Sequence, residues 1–367
     1  MRKTFAFLPA IVTAAAALML SATLGAAQAA PKKVVLLING TLGDKSFFDS
    51  ANHGMQLLRE KFGDAVQTRV VEMSYDETKW QPTLEDVAAQ DWDLIITGTY
   101  QMVDVIAQVA PEYPNRKFVL YDGAVDYAKG GFKNVYSITY KQNEGSYLAG
   151  VLAEGLIKQG AIPAAQGKYI GFLGGLDIPV INDFLTGYVA GAKSVEPSAK
   201  IAVSYIGSFS DAAKGKELAL AQYRTGVAVG FNVAGQAGLG QLAAAKEANR
   251  LAIGVDSDQS AIFRTSDPAT ADKVVTSVLK RVDVSLVRAF DLLQQDKLPV
   301  GKAEALGLAE GAVGIVDNDV YQKVVPVAVR EQVKTASADI AAGKVEVPSA
   351  FGLPTSQIQA LREQVRP

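Results

Sequence analysis

The chain has no cysteine and a single histidine, His53. Without thiols there is no disulfide, no thiolate metal site and no cysteine nucleophile. A Ser-His-Asp triad or a histidine-rich metal site would have to be built on His53 alone, so neither a metal nor a cofactor is expected. Beyond the first thirty residues no run approaches the ~18 apolar residues that span a bilayer as a helix, and the mature chain is expected to be soluble. An excess of one charge is missing too. The 36 basic residues stand against 38 acidic ones, and two of the basic ones, Arg2 and Lys3, lie in the leader. That balance gives no sign of nucleic-acid binding. There is also no low-complexity segment past the leader and no short internal repeat.

The leader itself is the first positive feature. Arg2 and Lys3 precede an apolar, alanine-rich run from Phe5 to Leu20, and Ala27-Gln28-Ala29 offers a small-x-small cleavage site before Pro31-Lys32-Lys33. This reads as an export signal over residues 1–29 that is removed. No cysteine sits at the junction, so the mature protein is expected to be free of a lipid anchor. The composition of the whole chain, with 49% hydrophobic and 20% charged residues in 367, is globular, and the length suits two domains or one large one.

The stretch Val34–Ser50, VVLLINGTLGDKSFFDS, is a buried strand opening into a Gly- and Asp-containing loop with two adjacent phenylalanines. Helical spacing follows over Ala51–Phe62. Strands are expected over Thr68–Met73, Asp93–Thr97, Lys117–Tyr121 and Val135–Tyr140, with helices over Glu77–Ala89 and Met102–Ala110. The alternation restarts with a helix over Glu144–Ile157. Strands then follow at Tyr169–Leu173, Ile201–Ile206, Val227–Val233 and Leu251–Val255, separated by helices at Val180–Val195, Lys214–Arg224 and Leu239–Asn249. Val274–Gln294 reads as one long amphipathic helix. Ala305–Val316 reads as one or two strands, and Val329–Ala342 as a helix. The tail after Val347 is proline-punctuated with a short amphipathic end, Ser356–Val365, and reads as peripheral. Alternating strands and helices with short loops give an α/β fold with parallel, doubly wound sheets. Two similar halves fit the length better than one nine-stranded sheet.

In such sheets ligands sit beyond the carboxyl ends of the strands. Most Gly, Asp and Ser residues there only turn the chain or cap helices; Asp44 and Asp211 are candidates for that role. Phe47, Tyr100, Asp122, Phe209 and Asp256 are harder to explain as connectors. An exposed phenylalanine in a glycine-rich loop costs solvation unless something covers it, and a flat ligand between two rings would cover both. A strand-end carboxylate can accept two hydrogen bonds from a diol. Asp256 suits that role, and Asp122 could accept from a ring N–H or amino group. The Gly-rich runs at Gly171–Gly175 and Gly235–Gly240 do not have the order or position of a dinucleotide fingerprint. A carboxylate-pair hydrolase is allowed by residue type but signalled by no spacing. His53 reads as a solvated or core histidine.

Seven stretches in one order carry a resemblance: GDKSF (Gly43–Phe47), YKQNEGSYLAGVLA (Tyr140–Ala153), GFLGGLDIPVI (Gly171–Ile181), GSFSDAAKGKELA (Gly207–Ala219), VAGQAGLG (Val233–Gly240), GVDSDQ (Gly254–Gln259) and TSVLKRVD (Thr276–Asp283). The chain resembles the basic membrane protein family of ABC-transporter substrate-binding proteins, the purine-nucleoside receptor group. The resemblance implies a type I periplasmic-binding-protein fold, with two Rossmann-like lobes joined by three crossings. Lobe one is expected over 32–139 plus 256–299, lobe two over 140–255 plus 300–346, and 347–367 as a tail. It also implies that Phe47 and Phe209 sandwich a base, that Asp122 meets the base, that Asp256 holds ribose hydroxyls, that Lys280 reaches the sugar, and that backbone at Gly235 contributes. This sequence departs from the family at Asn39, where an acidic residue is usual, at Phe48, where Asn is usual, and at Asn52-His53. Asn39, Asp44, Phe48 and Tyr100 complete the candidate site. The expected protein is a monomeric, non-enzymatic periplasmic receptor that delivers a purine nucleoside or related heterocycle to an inner-membrane ABC permease. The alternatives are the same fold binding a sugar or other polar small molecule, and a secreted nucleosidase-type hydrolase.

Overall fold

In a computed structural model the described residues are 1 and 30–367; the expected export signal, residues 1–29, lies outside them apart from residue 1. Elements are numbered in chain order. The first sheet has the order β11 (Lys302–Leu306), β5 (Val135–Tyr140), β4 (Phe118–Tyr121), β3 (Leu94–Gly98), β1 (Lys32–Ile38), β2 (Val66–Glu72), with all its pairs parallel. The second has the order β12 (Val313–Ile315), β10 (Val274–Lys280), β9 (Leu251–Asp256), β8 (Val227–Val233), β6 (Tyr169–Gly174), β7 (Ile201–Tyr205). It repeats the first strand for strand, except that β12 runs antiparallel to β10. Helices α1 (Phe47–Phe62), α2 (Trp80–Ala88), α3 (Met102–Val109) and α10 (Val282–Gln294) cover the first sheet. Helices α4 (Gln142–Lys158), α5 (Pro179–Val195), α6 (Ala212–Arg224), α7 (Gly235–Ala248), the short α8 (Gln259–Phe263) and α9 (Pro268–Ala271), α11 (Asp319–Val324), α12 (Val327–Ala341) and α13 (Thr355–Val365) belong with the second.

The VVLLI run explains the first half. Val34, Leu36 and Ile38 pack with Met55, Leu58 and Phe290 on one face of the sheet, while Val35 and Leu37 pack with Leu84 and Ile106 on the other. A parallel sheet covered on both faces has no solvent side, so the strand shows no polar alternation. In the second half the helix pair α4–α5 approaches so closely that a side chain at Gly187 or Gly191 would lie 2.1 or 2.0 Å from a backbone oxygen of α4. Glycine there lets α5 lie close against α4, and Pro179 at its first position marks where it begins. Among the described residues no helix is long and apolar enough to cross a membrane.

The structure corrects the reading of Val274–Gln294. Its first seven residues form β10, buried on both faces, and only Val282 onward is helix. The i, i+3, i+4 pattern of Val275, Val278, Leu279 and Val282 fits a helix, but Val274, Val275, Thr276 and Val278 are β-branched and a doubly buried strand also lacks alternation. This moves the lobe boundaries. β9 and β10, with Asp256 and Lys280 at their ends, lie in the second sheet, and β11 lies in the first. The expected division at residues 256 and 300 therefore does not follow the sheets. The chain crosses between the halves at Tyr140–Gln142, Lys280–Val282 and Leu306–Val313. Hydrogen bonds from Lys141 N to Leu306 O (2.9 Å) and Arg281 N to Ala312 O (2.8 Å) tie these crossings together.

Candidate functional site

Both sheets present the carboxyl ends of their strands to one cavity of about 280 Å³. All ten residues singled out from the sequence line it: Asn39, Asp44, Phe47, Phe48, Tyr100 and Asp122 from the first half, Phe209, Gly235, Asp256 and Lys280 from the second. The volume, near the lower end for ligand pockets, fits a small molecule rather than a polymer.

The first wall is set by the turn from β1 into α1. Asp44 accepts hydrogen bonds from the backbone N–H groups of Ser46 (3.0 Å), Phe48 (2.9 Å) and Asp49 (3.1 Å), three donors that a helix start leaves unpaired. The helix therefore begins at Phe47, and the two phenylalanines occupy its first turn, not the loop expected from the sequence. Phe47 packs against Tyr121, ring centres 5.6 Å apart and planes tilted by 41°, and keeps part of its ring open to the cavity. Phe48 is only 8% exposed and belongs largely to the core. Asn39 follows β1 and bridges to the residue after β3: its amide donates to Thr99 Oγ1 at 2.8 Å. That leaves the Asn39 Oδ1 acceptor buried without a partner among the described residues. A ligand donor would satisfy it. Tyr100 stands at the rim, 40% exposed.

The second wall is a ring on glycines. Phe209 follows β7 and lies against Gly175, where an added methyl would sit 2.4 Å from its ring. Its carbonyl accepts from Ala237 N at 2.8 Å, anchoring the loop to the start of α7 beside Gly235. Phe184, on α5, faces the same cavity.

Between the walls sit three carboxylates and one ammonium. Lys280 Nζ donates to Asp122 Oδ1 at 2.6 Å across the two halves, and lies 5.3 Å from the ring centres of Phe47 and Phe184. Ser46, on the first half, donates its hydroxyl to Asp256 Oδ2 on the second. Burial pushes all three carboxyls up. For Asp122 the Lys280 ammonium opposes the shift, and for Asp44 the backbone donors do. Asp256 is pushed up to about 7 by burial; Lys280 and the Ser46 hydroxyl pull it down, while Asp44 and Asp122 add to the rise.

Backbone strain collects in the same place. Thr99 (φ 76°), Asp122 (φ 58°) and Asp256 (φ 64°) all sit in the left-handed region, as do Lys45 and Ser74 next to the cavity. For a β-branched residue such as Thr99 this is unfavourable. Strain of this kind, where surrounding bonds impose it, concentrates at functional sites. Thr99 is held by its backbone bond to Tyr121 O (2.9 Å) and by Asn39. Sequence reading missed Ser46, Thr99, Tyr75, Trp80 and Phe184. Ser46 lies inside the GDKSF stretch and was visible there. Trp80 and Phe184 sit at helical positions that read equally as core. His53 is elsewhere, paired with Asp283 at 3.1 Å, and the described residues contain no cluster of metal-ligating side chains.

Two similar α/β halves linked by three crossings, with one cavity between their strand ends, define the type I periplasmic-binding-protein fold. The sequence narrows this further. The chain belongs to the PnrA-like family of ABC transporter substrate-binding proteins, which it matches over residues 31–346. It is similar to the ABC transporter nucleoside-binding protein BmpA of Lactococcus lactis subsp. cremoris (strain MG1363), with 31% identity over 341 residues, covering 90% of this chain and 92% of that one. Among solved structures, it superposes on an ABC transporter solute-binding protein from Aeropyrum pernix K1 with a TM-score of 0.79 and 24% identity, covering 91% and 98% of the two chains. A periplasmic solute-binding protein from Actinobacillus succinogenes 130z with bound D-allose gives a TM-score of 0.57 and 15% identity over 80% and 99%. The last two likenesses concern the fold alone.

Proposed function

We propose that this chain is a non-enzymatic, monomeric periplasmic receptor that binds a purine nucleoside or a related purine and delivers it to an inner-membrane ABC permease. The observation that carries this reading is that Phe47 and Phe209, from opposite halves, line one cavity together with the carboxylates of Asp122 and Asp256. A base between the rings gains stacking from both halves at once. Asp122 accepts from its N–H groups, and Asp256 accepts from the ribose hydroxyls. Lys280, already at Asp122, offers a donor to the sugar. The ligand bridges the halves and favours the closed state by its differential affinity for that state. The nucleoside-binding name of the Lactococcus relative supports the same reading.

Denaturing the freshly purified protein and recording the ultraviolet spectrum of what is released tests it. A purine gives a band near ~260 nm from its π-system; a sugar gives none. Chromatography of incubated nucleoside separates a receptor from a nucleosidase, since only the latter yields free base and sugar.

Gly175→Ala checks the stacking geometry. Its added methyl would displace the Phe209 ring, so purine affinity falls, by no more than the loss of the ring itself, roughly 150-fold at most. In a Phe209→Ala background the same change costs almost nothing, because the two residues act through one contact. Calorimetric titration of the single and double variants reads both numbers; additive losses would contradict the geometry.

A further inference from the structure

The segment after residue 346 lies beyond the stretch matched by the family, yet it is bonded to the back of the cavity wall. The wall in question is the turn from β6 into α5, where Leu176, Val180, Ile181 and Phe184 face the cavity. On its outer side, Arg362 of α13 grips Asp177 with both terminal nitrogens, Nη1 at 2.8 Å from Oδ2 and Nη2 on Oδ1. The same Nη2 is 3.0 Å from Asn182 Oδ1 and 2.9 Å from the Tyr205 hydroxyl, and the guanidinium lies 4.5 Å from the centre of the Tyr205 ring. Asn182 closes the ring of contacts by donating to Asp177 Oδ1 at 2.9 Å and accepting from Tyr205 at 2.6 Å. The Arg362 guanidinium holds the Asp177 carboxyl below the usual range, so this grip is ionised at neutral pH.

A second grip lies one residue further on. Asp183 is fully buried and accepts from Ser349 Oγ (2.6 Å) and Ala350 N (2.9 Å) of the tail. Its other oxygen accepts from Gln142 Nε2 at 2.6 Å, at the first crossing between the halves. Asn143, next to it, donates to Val347 O at 3.0 Å. The tail thus joins the cavity wall to a crossing, and it is not the peripheral end that its sequence suggests.

We infer that residues 347–367 are a positioning element of the binding cavity: Arg362 and the Ser349–Ala350 turn clamp the start of α5 from outside and hold its inner face in register against the ligand. Arg362 touches no ligand; it acts through Asp177 and Asn182. Bidentate arginine–carboxylate geometry suits this task because it fixes orientation as well as distance, and lysine cannot reproduce it.

The inference rests on the proposed purine site for its affinity arm only. In the full mature protein, Arg362→Ala is expected to weaken binding of adenosine, guanosine or inosine roughly three- to thirtyfold, the range for coupled positions away from the ligand. Arg362→Lys recovers only part of this. Hydrogen exchange of the ligand-free variant is expected to rise several-fold over residues 176–184 and to stay unchanged in the first sheet. Ser349→Ala, a milder change, moves the same amides in the same direction. Unchanged exchange over 176–184, or equal loosening throughout the protein, overturns the inference. So does undiminished affinity in Arg362→Ala. If the wild type binds no purine, the proposed function fails, while the exchange measurement still decides the clamp.

Discussion

Replacing Phe209 with alanine is expected to lower purine-nucleoside affinity roughly five- to 150-fold while leaving the ligand-free protein folded. The magnitude is that of one base–aromatic stack, about 1–3 kcal/mol. The specificity of the effect comes from the position of the ring. Phe209 is half-buried on a loop, backed by Gly175 and held through its own carbonyl to Ala237; its ring touches only the margin of the second core, so the fold survives its loss. Phe47 is different: its ring packs on Tyr121 and Phe48, and its loss would unsettle the first wall as well as the stack. Titration calorimetry with thermal denaturation of the same samples separates the two. A Phe209→Ala protein that binds purines as tightly as the wild type would contradict the sandwich.

Asp256→Asn is expected to move stability and binding in opposite directions. Burial pushes the Asp256 carboxyl to about 7, from 3.8 in an unperturbed setting. The folded protein therefore holds this proton more tightly than the unfolded chain. Asp256 favours the fold below about pH 4, and that contribution is lost as pH rises through about 7. Above pH 7 the ionised group is a net cost, on the order of a few kcal/mol. Asparagine removes the charge, keeps an acceptor for Ser46 and is tolerated at a φ of 64°. The ligand-free variant should accordingly melt several degrees higher at pH 8, by a margin that shrinks toward pH 5. Binding should suffer, because hydrogen bonds to a charged acceptor are worth about 1.5–3 kcal/mol each. Wild-type affinity should also fall below pH 7, by up to about tenfold per unit, as Asp256 takes up its proton; the variant should show no such slope. A variant that is less stable at pH 8, or that keeps the slope, would contradict this assignment.

Much of the fold was legible because its signals are local. VVLLI, KFVLY and LAIGVD are short apolar runs ended by polar turns, and helical spacing fills the gaps between them. The candidate site was legible at the strand ends for the same reason: parallel sheets commonly place ligands there, and Asp122, Phe209 and Asp256, distinct by chemistry and place, line one cavity. The rest has separate physical origins. A strand buried on both faces and a buried helix look alike in apolar content, and with no glycine or proline between Lys280 and Val282, β10 ran into α10. That error carried Asp256 and Lys280 to the wrong half. Helix capping by Asp44 brought Phe47 and Phe48 into α1, a change no periodicity reports. The Lys280–Asp122 and Arg362–Asp177 pairs join residues 158 and 185 positions apart. Such pairs are set by the assembled sheets and leave no trace in local pattern.

The central claim is that the cavity takes a purine between two rings, one from each half. Isothermal titration of the purified protein with adenosine, guanosine and inosine, and in parallel with D-allose and D-ribose, tests it directly. One-to-one binding of at least one purine nucleoside, with no heat from either sugar, is the expected result. Binding of a sugar with no response to any purine would contradict it.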